Sequence, residues 1–308
     1  MSHIVAQLAV LLDNTEVQLL KDEVSYAIPA LADGLWHARM CVSDSVWENI
    51  ALPMCRQHTL CALLHQDPHT FRALTKPRGY AGDAVMMDYM YYLEPPVGGT
   101  PLGRAIFRHT AGAPNGRSAI SRRDHITTVI DEVASSVPDP YILAIACGHL
   151  REAVQSHALQ TGQIREFVAL DQDANSLALI DQEYGRWGVR TVHASAMDLL
   201  RRKLTFVNRD LVYAYGLFDY LSDSLAIRLV NTMFTMVRPG GKVLIANYVP
   251  TSHGRGYMEA FMDWRLVYRD EATLRELTQQ LAPSHIADIR TFLDPFGNVA
   301  FLELTRSQ

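Results

Sequence analysis

The residues Cys147–Glu152 stand where an apolar run, Tyr141–Ala146, gives way to a turn and then to helical spacing. Many folds hold a nucleotide at such a place, because backbone N–H groups at a helix start face an anionic ligand. A dinucleotide or nucleoside loop usually puts glycine at three alternate positions. Here only Gly148 is glycine, with Ala146 and Leu150 where the other two would stand. Ala146, Cys147 and Gly148 are therefore the first candidate binding residues. A second candidate, Asp171, closes the run "EFVALD", about 20 residues further on, where a carboxylate can accept from both hydroxyls of a ribose. Gln172 follows it among the candidate ligand-facing positions, and an ordinary turn or helix cap is the other reading of an Asp there. A third constellation ends the next run, "HASAMDLL". Asp198 could accept from an exocyclic amine while the Met197 N–H meets a ring nitrogen, or it could cap a helix.

Strand ends must carry these residues. Beyond Pro140, β-branched and apolar runs predict strands over Tyr141–Ala146, Glu166–Leu170, Val189–His193, Leu211–Tyr215 and Lys242–Tyr248, then Ile286–Phe292 and Val299–Leu304. Stretches long enough for crossover helices separate the first five, the arithmetic of a parallel, doubly wound sheet. Only "LDPFGN" joins the last two, so they pair as an antiparallel hairpin. In such a sheet the ligand lies across the carboxyl ends of the strands. Pro239-Gly240-Gly241 predicts a turn before the fifth strand.

Upstream, apolar residues recur at helical spacing from Ile4 to about Leu74, which predicts a set of amphipathic helices. The Pro- and Gly-rich stretch Leu93–Arg117 predicts a connector over one face of the next domain, with helix resuming over Asp124–Val137. The chain thus divides into a helical domain, residues 1–123, and an α/β domain, residues 124–308. "KPRGYAGD" at Lys76–Asp83 suits an ordered functional loop better than a regular element.

The net charge of −5 gives no basic footprint for nucleic acid or an anionic membrane, which leaves small molecules as the expected substrates. The four cysteines form no CxxC pair, and neither His65 nor His69 completes a zinc spacing, so structural thiols and no metal are expected. The first residues lack the pattern of a secretory signal, and no run approaches the ~18 apolar residues of a membrane span, so the expected compartment is the cytoplasm.

Taken together over about Pro140 to Leu304, the glycine loop, the acids after strands two and three, "VRPGGKVLIANY" and the reversed hairpin resemble the class I S-adenosylmethionine (SAM) dependent methyltransferases. The resemblance implies a Rossmann-like seven-stranded sheet with its last strand antiparallel, an N-terminal α-helical lid domain, and SAM as cosubstrate or sole substrate. "TKPRGYAGDAVMMDYMYY", "IACGHLRE", "YGLFDYLSD" and "YMEAFMDWRLVYR" are similar, in this order, to segments of the bacterial enzymes that make 3-hydroxypalmitic acid methyl ester, an extracellular signal. His149 and Leu150 depart from that group's loop. By this resemblance Gly148 and the helix start would meet the SAM carboxylate with help from Arg151, and Glu152 would brace the loop. Tyr213, Tyr215, Phe218 and Tyr220, with Tyr80, Tyr89, Tyr91 and Tyr92, would pack together or face the sulfonium. Tyr215, Asp219, Tyr80 and His253 are the candidates for a catalytic role, with capping or plain hydrogen bonding as the alternative. Three functions follow: a small-molecule methyltransferase of bacterial signal metabolism acting on a fatty acyl carboxylate or hydroxyl; a cyclase turning SAM into azetidine-2-carboxylate and methylthioadenosine; or a non-catalytic SAM-binding regulator. The sequence sets no oligomeric state.

Overall fold

The structure, a computed structural model, describes residues 2–308. The chain divides into two compact units, Met1–Ile120 with Thr251–Arg265, and Ser121–Pro250 with Leu266–Gln308. The expected boundary at residue 123 lies close to the first of these divisions, while the return of Thr251–Arg265 to the helical unit has no counterpart in the sequence pattern.

The second unit is built on seven strands: β1 (Tyr141–Ile145), β2 (Glu166–Asp171), β3 (Val189–His193), β4 (Arg209–Ala214), β5 (Val237–Tyr248), β6 (Ile286–Leu293) and β7 (Val299–Arg306). Their order is β3-β2-β1-β4-β5-β7-β6. The first five run parallel, and β7 pairs antiparallel with both β5 and β6. This is a seven-stranded Rossmann-like sheet with one reversed strand, the sheet that the resemblance implies. The hairpin closes on Asp294, whose carboxylate accepts from the Asn298 and Val299 N–H groups at 2.8 and 2.9 Å. Register positions the site: Ile145 pairs with Leu170 and Asp171 with His193, so the loop after β1 emerges level with the end of β2.

Side chains alternate between two apolar layers, the period-2 pattern of a sheet covered on both faces. Leu143, Ile145, Val168, Leu170, Val212 and Ala214 share one layer with Leu229, Val230 and Met233 of the helix Asp223–Met236. Ile142, Ala144, Phe167, Leu211 and Tyr213 share the other with Ile126, Val129 and Ile130 of the helix Pro114–Ser136. Each buried Val, Leu, Ile, Phe or Met side chain among them contributes about 1.5–3 kcal/mol by leaving water. Pro239-Gly240-Gly241 corrects an expectation. It is no turn ahead of a strand but an irregularity inside β5, lying between the pairs Arg209–Val237 and Leu211–Lys242. Glycine is required there because Gly240 takes φ +76 and a Cβ on Gly241 would come 2.7 Å from the Arg209 carbonyl oxygen.

In the helical unit, the helices Ser2–Leu20 and Val24–Cys41 bury Leu8, Leu12 and Leu19, and Ile28, Leu31 and Leu35. The stretch expected as a connector, Leu93–Arg117, instead contains the helix Pro101–Ala111 and the start of Pro114–Ser136, which therefore begins before Asp124. The prolines that read as breakers open these helices, since the first helical position needs no N–H donor. Thr100 caps the first by accepting from the Gly103 N–H at 3.0 Å. The returning segment forms the helix Arg255–Phe261. Gly256 lets it approach closely, a Cβ there falling 2.5 Å from the Leu35 carbonyl oxygen. Glu259 accepts from Arg39 Nε at 2.9 Å and from Arg255 Nε at 2.8 Å. Among the described residues, no helix is long and apolar enough to cross a membrane.

Candidate functional site

Ala146, Gly148 and Leu150 all adopt left-handed backbone, with φ +52, +55 and +50. The alternation that glycine-rich loops produce is thus present in the backbone although glycine occupies one of the three positions. An L-residue held there is strained by about 1–2 kcal/mol. What holds Leu150 is its side chain, 1 % exposed in the layer beneath the loop. The turn closes through the Leu150 N–H on the Cys147 carbonyl at 3.0 Å, and the Cys147 N–H bonds the Leu170 carbonyl at 3.2 Å.

Asp171 ties this loop to β2. One carboxylate oxygen accepts from the Gly148 N–H at 2.8 Å and the other from the Asp173 N–H at 2.9 Å. Burial pushes this carboxyl above its usual range against the pull of those amides. Each oxygen has a second lone pair, so the carboxylate can still accept from a sugar hydroxyl. Gln172 is exposed, and its carbonyl lies 3.0 Å from His193 Nε2.

The remaining candidates have definite partners. Asp198 is not the cap itself: Ser195 caps the helix Ala196–Leu200, and Asp198 completes a capping box by accepting from the Ser195 N–H at 3.0 Å and Oγ at 2.6 Å. Lys203 stands 2.8 Å from its other oxygen, and this partner, with the Ser195 donors, holds the carboxyl below its ordinary range. Met197 lies in the first turn of that helix. Arg151 does not face the loop's anion position alone; its Nη1 donates to Glu183 at 2.6 Å and Tyr184 at 2.8 Å. The Tyr213 hydroxyl donates to Glu152 at 2.6 Å. Burial raises the Glu152 carboxyl, the Cys147 thiol and the Tyr213 and Tyr215 hydroxyls. Tyr215, 7 % exposed, stacks on His125 at 6.1 Å, and its buried hydroxyl has no hydrogen-bond partner among the described residues. Tyr80 and His253 belong to the helical unit, where His253 Nε2 lies 2.7 Å from Asp33.

Asp219, after β4, accepts from the Tyr248 N–H at 2.7 Å, and its own carbonyl accepts from the Val267 N–H at 2.7 Å. Two residues that sequence reasoning missed organise this corner. Arg269, buried, donates to the Phe218 and Leu221 carbonyls, to Asn247 and to Asp223. Arg122, on the helix Pro114–Ser136, stands 3.7 Å from Asp219. No local spacing marks either one, since both act on partners far away in sequence.

No protein-family model matches this chain, and no curated protein matches it. Solved structures do. A structure described as a possible exported protein from Bordetella parapertussis is 14% identical, covers 87% of this chain and 98% of its own, and superposes with a TM-score of 0.62. What this likeness shows is the fold. Magnesium protoporphyrin IX methyltransferase from Synechocystis with bound S-adenosylhomocysteine is 12% identical, covers 72% of this chain and 98% of its own, and reaches a TM-score of 0.48. An N-methyltransferase from Bradyrhizobium japonicum with the same nucleoside is 15% identical, covers 61% and 88%, and reaches 0.45. The last two align too loosely to bear on function.

The strand ends therefore combine a strained loop tied down by its own amides, a carboxylate with spare acceptor capacity, and buried tyrosine hydroxyls beside a thiol. Among the described residues, no group of three or more His, Cys, Asp and Glu side chains could hold a metal ion.

Proposed function

We propose that this chain is a SAM-dependent methyltransferase acting on a small molecule. The observation that carries the reading is the left-handed backbone at Ala146, Gly148 and Leu150, tied by the Gly148 N–H to Asp171 at the head of a sheet with one reversed strand. The residues present suit SAM. Asp171 has acceptors for the ribose hydroxyls, Met197 and Asp198 lie in the first turn of the helix that follows β3, on the side we assign to the adenine, and the orphaned Tyr215 hydroxyl offers a buried polar contact. Bound SAM supplies an electrophilic methyl group on a sulfonium. The protein's part is to exclude water and align the acceptor, since methyl transfer is largely a matter of proximity. Tyr213, Tyr215 and Cys147, kept neutral by burial, wall such a site without placing a strong nucleophile beside the sulfonium.

The acceptor we favour is a fatty acyl carboxylate or hydroxyl of bacterial signal metabolism, on the four-segment resemblance. A carboxylate needs no general base, which agrees with a wall of neutral groups. The reading places the chain in the cytoplasm, which its four free cysteines suit.

The test is to incubate the purified protein with SAM, alone and with 3-hydroxy fatty acids, and to identify the nucleoside by mass spectrometry. Acceptor-dependent S-adenosylhomocysteine is the expected result. Methylthioadenosine formed without acceptor, faster than SAM decays by itself, would replace the transferase with the cyclase. Binding without turnover across a broad acceptor panel would leave a regulator.

A further inference from the structure

The sheet order divides the strand ends in two. Gly148 after β1, Asp171 at the end of β2 and Met197 after β3 stand on one side, the side assigned above to the nucleoside. The other side, over β4, β7 and β6, is left for the group that receives the methyl, and it holds an imidazole. His125, on the helix Pro114–Ser136, stacks on Tyr215 after β4 with ring centres 6.1 Å apart. It also lies 4.9 Å from the Phe301 ring of β7 and 5.3 Å from the Phe292 ring of β6. All of these residues belong to one compact unit.

His125 Nε2 lies 2.9 Å from Glu303 Oε1, and Arg290 Nε donates to the other Glu303 oxygen at 3.1 Å. Burial would raise the Glu303 carboxyl, yet His125 and Arg290 hold it below its ordinary range. It stays an acceptor, which fixes the proton of a neutral imidazole on Nε2 and leaves the lone pair on Nδ1. Nδ1 has no hydrogen-bond partner among the described residues. The Tyr215 hydroxyl has none either, and burial keeps it protonated. The two rings lie within 8° of parallel, and their polar atoms do not bond each other. An acceptor nitrogen and a donor hydroxyl, neighbours and both unmatched, call for a ligand group that donates to one and accepts from the other. A hydroxyl does both. The His125 side chain, 23 % exposed, is not sealed from such a group, and the aromatic rings around it suit an apolar body attached to that hydroxyl.

We infer that His125 is the general base of the transfer and that the group it serves is a hydroxyl. Tyr215 holds the hydroxyl oxygen and Nδ1 takes its proton. The oxygen lone pair forms the new bond to the methyl carbon while the methyl–sulfur bond breaks, its electron pair remaining on the sulfur of S-adenosylhomocysteine. The proton passes from His125 to solvent. Glu303 is a positioning residue, which holds the tautomer and stabilises the imidazolium. The inference rests on the SAM reading above and selects the hydroxyl from the two acceptors named there.

Palmitic acid and methyl 3-hydroxypalmitate separate those acceptors, since the first offers only a carboxylate and the second only a hydroxyl. With SAM, the wild type should methylate the second and not the first. H125Q should bind SAM like the wild type by calorimetry and transfer the methyl group about a hundredfold to ten-thousandfold more slowly, the range of a general base. Methyl 2,2-difluoro-3-hydroxypalmitate, whose hydroxyl is already acidic, should recover most of that loss, which a merely structural lesion would not allow. E303Q still accepts from Nε2 and should lower kcat by less than H125Q, with KM unchanged. Transfer to palmitic acid, transfer to neither acceptor, an H125Q rate near wild type, a matching fall in its SAM affinity, or a loss that the fluorinated acceptor does not relieve would each overturn the assignment while wild-type SAM binding stands. A wild type that does not bind SAM would remove both readings.

Discussion

At the head of the sheet, the loop after β1 places an alanine and a leucine in left-handed backbone at φ +52 and +50; in β5, the irregularity at Pro239–Gly241 gives the one left-handed position, φ +76, to glycine. Both segments need the same unusual turn of the chain. In the irregularity glycine removes the strain, since nothing there demands a side chain. The loop keeps the strain and holds it in place by burying Leu150 and by tying the Gly148 amide to Asp171. Strain of this kind clusters where a structure must be over-determined, as at ligand sites.

The largest expected effect comes from removing what holds the loop. Leu150→Ala deletes a fully buried side chain and should destabilise the fold by about 2–5 kcal/mol, read as a lower urea midpoint. A loss below the usual core range would mean that the side chain is not what sustains φ +50.

Asp171→Asn comes next. It sets an amide NH2 against one of two backbone donors and should cost about 1–3 kcal/mol at neutral pH. The variant also carries a pH signature. Because burial raises the Asp171 carboxyl above its unfolded value, the folded chain keeps that proton to higher pH. The stability this contributes is full below about pH 4 and is lost as pH rises through the raised value. Urea midpoints measured from pH 4 to 7 should show wild type losing ground relative to the variant. Parallel profiles would show that the amides alone fix the carboxylate.

Gly240→Ala imports strain into the irregularity and should destabilise by about 1–2 kcal/mol. The new Cβ meets only the flexible Gln308 side chain, at 2.9 Å, so the backbone term should dominate a thermal melt. Ala146→Gly is the mirror experiment and the smallest effect. Relief of about 1–2 kcal/mol is partly cancelled by about 0.5–1 kcal/mol of added unfolded-chain entropy. The expected outcome is a melting temperature equal to or slightly above wild type. A clear loss would mean that the Ala146 methyl group makes contacts worth more than its strain.

Local pattern carried most of the sheet. Strand identities follow from β-branched runs, and the reversed hairpin follows from the shortness of "LDPFGN". The same local logic misread Pro101 and Pro114 as punctuation, because proline at a first helical position and proline in a loop look alike until the residues after it are seen to bury, as Ile106 and Phe107 do. In the site, the positions of Ala146, Gly148, Leu150 and Asp171 were legible from spacing. The tie between Gly148 and Asp171 was not, nor were Arg122 and Arg269, because each depends on which strand ends the topology brings side by side. Arg151 shows the converse: a residue in the right motif whose side chain is taken up by the helix that follows β2.

The return of Thr251–Arg265 to the helical unit sets a schedule. Arg39 pairs with Asp44 close by in sequence, but its buried partner, the Glu259 carboxylate, lies 220 residues later in the chain. At ordinary elongation rates that is a wait of about 10–45 s. During that interval a nascent arginine destined for burial has no acid from this segment, and the Leu35 backbone lies open where Gly256 will later press against it. The helices Ser2–Leu20 and Val24–Cys41 thus reach their final packing only after the five parallel strands have been made.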